Sequence, residues 1–163
     1  MKNLDFFSRW PVILTSFILM NLVGISFYFA QQAIDGDLLD MIWSGAEAKQ
    51  RLAEMTAAQK KSHILATATA DTLYPLAYGS FFIGLTARLS GSRKLWLFIP
   101  ALCAVCFDLT ENITQLIGLF GHPDILIIKD LITPAKFISV LVAGLVILVL
   151  IVVTIARKIS RSQ

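Results

Sequence analysis

The chain has 163 residues, of which 56% are hydrophobic and only 15% charged, with a formal net charge of +3. Soluble domains carry about 45–50% apolar and about 25% charged residues, so this composition excludes disorder and argues against an ordinary soluble enzyme. Charges gather at the ends and between long apolar runs, as in a polytopic membrane protein, and no basic stripe suited to nucleic acid is present.

The first apolar stretch, Pro11 to Ala30, follows Lys2 and Arg9. It is longer than the about 7–15 residues of a signal-peptide core, and cleavage after Ala30 or Ala33 would place Tyr28 or Gln31 where a small residue is needed. It reads as a retained span. Three further stretches are long enough to cross about 30 Å of hydrocarbon, over 64–88, 95–120 and 134–156. The expected fold is all-α, one integral membrane domain over 1–163, a four-helix transmembrane bundle with an outer helical loop at 31–63.

Orientation follows from lysine and arginine. Lys2, Arg9, Arg88, Arg93, Lys94, Arg157, Lys158 and Arg161 fall on one side. Lys49, Arg51, Lys60, Lys61 and Lys129 fall on the other, offset by acids such as Asp35, Asp37, Asp40 and Asp124. The positive-inside rule then places both termini in the cytoplasm and 31–63 in the periplasm of a bacterial inner membrane. Within 31–63, Ser44 with Glu47 and Thr56 with Gln59 fit capping boxes, and Glu47 with Arg51 fits an i,i+4 ion pair. These predict helices near 45–55 and from 57 into span two, lying on or above the outer membrane surface, with a solvated connector and a role in gating as the other readings.

Ionisable groups inside spans cost at least about 2.5–3.5 kcal/mol on insertion scales and so call for a reason. Span two holds Asp71, on one helical face with Thr67, Tyr74, Pro75 and Tyr78. Span three holds Asp108, Glu111, Asn112 and Gln115, again on one face. Span four holds Thr133 and Lys136. At 1.5 Å per residue, Asp71 and Lys136 lie roughly 5 Å below the outer ends of their spans, Glu111 and Asn112 roughly 12–14 Å, and Asp108 roughly 18 Å. All belong to the outer half, which predicts an outward-facing polar pocket between spans two, three and four. Pro75 lacks an N–H and frees the Asp71 carbonyl. Thr133-Pro134 reads as the start of a helix, placing Lys136 in a first turn where the dipole disfavours it unless Asp71 or Glu111 pairs with it. Asn21, Thr15, Ser16 and Gln115 taken alone read as helix-to-helix ties.

Asp108 and Glu111, one turn apart in a low dielectric, suit acid–base or proton chemistry, with Lys136 or a hard divalent cation as compensating charge. His63 and His122 read as surface residues, so zinc is not expected, and no cofactor is indicated. The Cys103–Cys106 pair invites comparison with membrane thiol oxidoreductases. It lies mid-span on the cytoplasmic side without a second pair, and packing is the better reading.

The run Asp71-Thr-Leu-Tyr-Pro75-Leu-Ala-Tyr78-Gly79, followed by Asp108-Leu-Thr-Glu111-Asn112 and then Lys136 early in the last span, resembles a pattern in small four-span bacterial membrane proteins with no assigned activity. The resemblance covers about residues 45–150 and implies a site without a reaction. Four functions fit. The leading one is a binding protein whose pocket, with Asp71, Tyr74, Tyr78, Asn112 and Lys136, takes a small polar molecule, a cation or a lipid headgroup. The others are an enzyme on a lipid-like substrate with Asp108 and Glu111 as acid and base, a proton-coupled transporter, and an assembly partner. Gly79, Gly84, Gly118 and Gly144 permit close packing, within the chain or in a homo-oligomer.

Overall fold

The computed structural model describes residues 2–90 and 94–161. Arg93, one of the charges used for orientation, and the side chain of Lys2 lie outside the described residues. Among the described residues the fold is all-helical. Helix α1 (Lys2–Phe7) is a short lead-in, and α2 (Trp10–Ile34) is the first long apolar helix, with Pro11 in its first turn where no N–H partner is lost. Asp35 in the left-handed region (φ 53°) and Gly36 (φ 140°) end it. A 3-10 turn at Leu39–Met41 leads to α3 (Gly45–Glu54) and α4 (Ala57–Ala66). A π-helical turn, Thr67–Asp71, joins α4 directly to α5 (Thr72–Ser90). Then come α6 (Ile99–Leu119) and α7 (Lys129–Ser160), each preceded by a 3-10 turn, Leu95–Phe98 and Pro123–Ile128.

Among the described residues, three segments are long and apolar enough to cross a membrane: Trp10–Ile34, Leu95–Leu119 and Pro123–Ser160. The first and third have hydropathies of 2.0 and 3.2, yet only 11% of each apolar window is buried. Leu14, Ile18, Leu22 and Ile25 on α2, and Leu141, Leu145, Leu148 and Val152 on α7, point outward. Glu111, Gln115, Lys129 and Thr133 are fully buried. A water-soluble bundle has the opposite arrangement, apolar within and charged without. Helix α5 is the central element, packed on α2, α6 and α7. Gly84 lets α1 approach it, since a Cβ there would lie 2.6 Å from the Phe7 carbonyl oxygen.

The 31–63 segment is more than a solvated connector. It folds back as a cap on one end of the bundle. Ile34, Leu38, Leu39, Ala48, Leu52 and Met55 form a buried core with Leu119 and Leu126. Polar ties reinforce it: the Gly45 N–H donates to Asp130 (2.7 Å), and Lys49 pairs with Asp124. The Thr56–Gln59 capping box is complete, while at Ser44 only the half in which its hydroxyl accepts from the Glu47 N–H is formed. Arg51 does not pair with Glu47 as expected; its guanidinium donates to the Asp35 carbonyl (3.1 Å) at the end of α2.

Two further expectations are corrected. Thr133 and Pro134 do not start a helix; α7 begins at Lys129 and Pro134 lies inside it. Lys136 is therefore two turns in, beyond the reach of the terminal dipole. Asn21 ties no helices together, because its amide donates to the Phe17 carbonyl one turn back in α2 (2.7 Å).

Candidate functional site

The predicted residues meet at the cap end of α5, α6 and α7. Pro75 removes the N–H that would have bound the Asp71 carbonyl, and Asn112 Nδ2 donates to that oxygen instead (2.8 Å). The π-helical turn just before it is closed by Thr72 Oγ1 donating to the Thr67 carbonyl (2.8 Å). A broken backbone ladder on α5 is thus repaired by a side chain of α6, which fixes the register of the two helices at the site.

Glu111 is fully buried, with hydrogen bonds to one carboxylate oxygen and an ion pair at the other. One carboxylate oxygen accepts from Lys129 Nζ and from Thr133 Oγ1 (2.5 Å), and the other lies 2.6 Å from Lys136 Nζ. Lys136 also pairs with Asp40 (2.5 Å) and faces Asp108 at 3.7 Å. The Asp108 carboxylate accepts from Tyr78 Oη (2.9 Å). Carboxylate oxygens of Asp40, Asp71 and Asp108 lie within 4.8 Å of one another. Four carboxylates therefore face two ammonium groups, an acidic surplus where charge is poorly solvated. Oxygen donors at this spacing suit a hard cation, but the Lys136 ammonium already stands beside two of the three.

The expected partner of Lys136 was Asp71 or Glu111; Glu111 is one, and Asp40 and Asp108 are the others. Asp40, Lys129 and His63 belong to the site's framework and were not expected there. Lys129 was counted as a topogenic surface charge, yet it is fully buried. A usable signal existed: Lys129, Thr133 and Lys136 fall at i, i+4 and i+7, one face of a helix extended upstream. His63, read as a surface residue, is 1% exposed. Its Nε2 accepts from the Leu39 N–H (2.9 Å), so the proton resides on Nδ1, which faces Thr67 Oγ1 at 3.2 Å. Burial pushes its pKa down to about 4. His63 thereby pins the turn that carries Asp40.

A cavity of about 580 Å³ opens beside this cluster. Asp37, Asp40, Asp108 and Lys136 form its polar end, and Met20, Phe27, Tyr74, Tyr78, Phe82 and Val140 line its walls. Of the predicted binding residues, Tyr74, Tyr78 and Lys136 reach it, as does Asp108; Asp71, Glu111 and Asn112 do not line it. Cys103 and Cys106 are free thiols away from the cavity. Fold and cluster together define a helical membrane protein with charges gathered in its interior. No protein-family model, curated protein or solved structure matches the chain.

Proposed function

We propose that the chain is a four-span protein of the bacterial inner membrane, with both termini in the cytoplasm, and that it binds an amphiphilic molecule in the cavity between α2, α5, α6 and α7. The 31–63 cap then lies on the periplasmic side, and α5 is the fourth span. The observation that carries the binding role is one continuous cavity with charge at one end and an aromatic and aliphatic wall along the rest. Its volume falls in the range of about 300–1,000 Å³ common to small-molecule sites. Membership of the small four-span family belongs to the same proposal, supported by the meeting of the Asp71–Gly79 and Asp108–Asn112 runs at Asn112 and the Asp71 carbonyl.

Binding is favoured over catalysis by how the carboxylates are used. Glu111 is held by three partners and does not reach the cavity, so it is a poor acid or base. An enzymatic role would have to run through Asp108 and Tyr78.

The test is to extract the purified protein and quantify bound amphiphile by mass spectrometry, beside a variant with the cavity filled by Val140→Trp. The expected result is about one molecule per chain in the wild type and a several-fold loss in the variant. Equal recovery from both proteins would remove the proposal.

A further inference from the structure

We infer that the occupant of the cavity is an organic cation, an amphiphile whose head is an ammonium group. This deepens the binding role proposed above and rests on it.

Charge is the first argument. Glu111 is neutralised by Lys129 behind the cavity wall. Lys136, the one cation among the described residues that line the cavity, is already drawn to Asp40 and Glu111 at 2.5 and 2.6 Å. Asp108 receives only a neutral phenol and a more distant ammonium at 3.7 Å, and Asp37 stands on the rim of the same cavity. The field at the polar end is therefore negative. An anionic head would meet several carboxylates across short distances, and like charges so placed cost several kcal/mol. A cationic head relieves the surplus.

The wall is the second argument. Phe27, Tyr74, Tyr78 and Phe82 form a continuous aromatic ladder, with successive ring centroids 5.4, 5.5 and 5.8 Å apart. Aromatic faces attract ammonium groups, most strongly where water is excluded. The cavity already contains one such pair, Lys136 Nζ lying 4.9 Å from the centroid of Phe137. A metal ion would use the carboxylates and leave the ladder idle. An ammonium amphiphile uses both, its head at Asp40 and Asp108 and its chain along the rings.

The molecule carries its own reporter. Trp43 stacks on Phe137, with 4.9 Å between ring centroids and planes 3° apart, and Phe137 lines the cavity. In a protein with Trp10→Phe and Trp96→Phe, quenching of Trp43 reads occupancy. Three probes with the same brominated dodecyl chain, bearing a trimethylammonium, a sulfate or an uncharged hydroxyl head, are titrated in uncharged maltoside micelles. A companion protein keeping only Trp96, which like Trp43 is exposed but stands away from the cavity, measures general partition into the micelle. The expected result is saturable quenching of Trp43 by the trimethylammonium probe at concentrations at least about tenfold lower than for the other two. Asp108→Asn, and Asp37→Asn on the exposed rim, should each weaken that probe several-fold without affecting the hydroxyl probe. Equal saturable quenching by all three heads, or tighter binding of the sulfate, would overturn the cation inference and leave amphiphile binding intact. Quenching that saturates with none of them would overturn both.

Discussion

At the scale of single residues, His63 and Lys129 show how a side chain far from the cavity positions one that lines it. His63 holds the Leu39 N–H and so the turn bearing Asp40, while Asp40 reaches Lys136 on α7. Because burial keeps His63 neutral down to about pH 4, the folded state declines a proton that the unfolded chain accepts near pH 6.5. The stability this contributes is complete above about pH 6.5 and is lost as the pH falls toward 4. With 1.36 kcal/mol per unit, the loss amounts to about 3 kcal/mol. His63→Gln, which cannot titrate, should shrink its stability gap to the wild type by that amount between pH 7 and pH 4, read by denaturation in mixed micelles. Parallel pH profiles for the two proteins would refute it. Lys129 is the second case. Removing one member of a buried ion pair costs about 3–5 kcal/mol, and Thr133 and Lys136 remain on Glu111, so Lys129→Met should fall near the lower end. Combined with Glu111→Gln, the loss should be smaller than the two single losses added, because the double variant leaves neither group unpaired. Strict additivity would mean that the pair is not coupled. The sequence pointed to Asp71, Asp108, Glu111, Asn112 and Lys136 because an ionisable residue inside an apolar run is conspicuous. It hid Asp40, Lys129 and His63 because they lie in the segments that connect the long apolar runs, where a charge is unremarkable. Their burial arises from contacts 96, 18 and 24 positions away.

At the scale of elements, helical periodicity and capping were legible and the cap was only half so. Helices at Gly45–Glu54 and from Ala57 were read from Ser44 and Thr56, because a local hydrogen bond dictates where a helix starts. Their docking was not legible, since it depends on a surface built from distant segments. The start of α7 was misplaced for the same reason. Lys129 and Asp130 look like loop charges until Glu111 and the Gly45 N–H supply their partners. Gly45 makes the docking testable. A Cβ there would lie 2.5 Å from the Leu126 carbonyl oxygen and 2.6 Å from Ile127 Cα, backbone atoms that cannot step aside. Gly45→Ala should therefore cost about 1–3 kcal/mol of overpacking, seen as a lower melting temperature and faster proteolysis within 35–66. Gly144→Ala meets nothing within 4 Å and should be neutral or slightly stabilising, since alanine is the better helix former. If Gly45→Ala melts like the wild type, the cap is not held where it is described.

At the scale of the whole molecule, the number of spans decides which side each end faces. Three apolar helices alone would put the termini on opposite sides of the membrane, and the four-span reading puts them together. The proposal of four spans rests on α5. It has 19 residues, about 28 Å at 1.5 Å per residue, close to the thickness of the hydrocarbon core. It is less apolar than the others because α2, α6 and α7 surround it, so Tyr78, Gly79 and Thr86 face protein rather than lipid. Lipid-facing helices must be apolar throughout, whereas a helix enclosed by its neighbours need not be. The charge distribution agrees: Arg88 and Lys94 flank the α5–α6 connection, and Arg157, Lys158 and Arg161 end the chain. In a background with Cys103 and Cys106 replaced by alanine, single cysteines at Gln50, Ser92 and Ser160 are probed with a membrane-impermeant thiol reagent on intact spheroplasts. Gln50→Cys should react, while Ser92→Cys and Ser160→Cys should react only after the membrane is opened. Reaction of Gln50→Cys, Ser92→Cys and Ser160→Cys together would mean that α5 does not cross and that three spans are correct. Reaction of Ser92→Cys and Ser160→Cys, with Gln50→Cys protected, would keep four spans and invert the molecule, turning the cavity's charged end toward the cytoplasm.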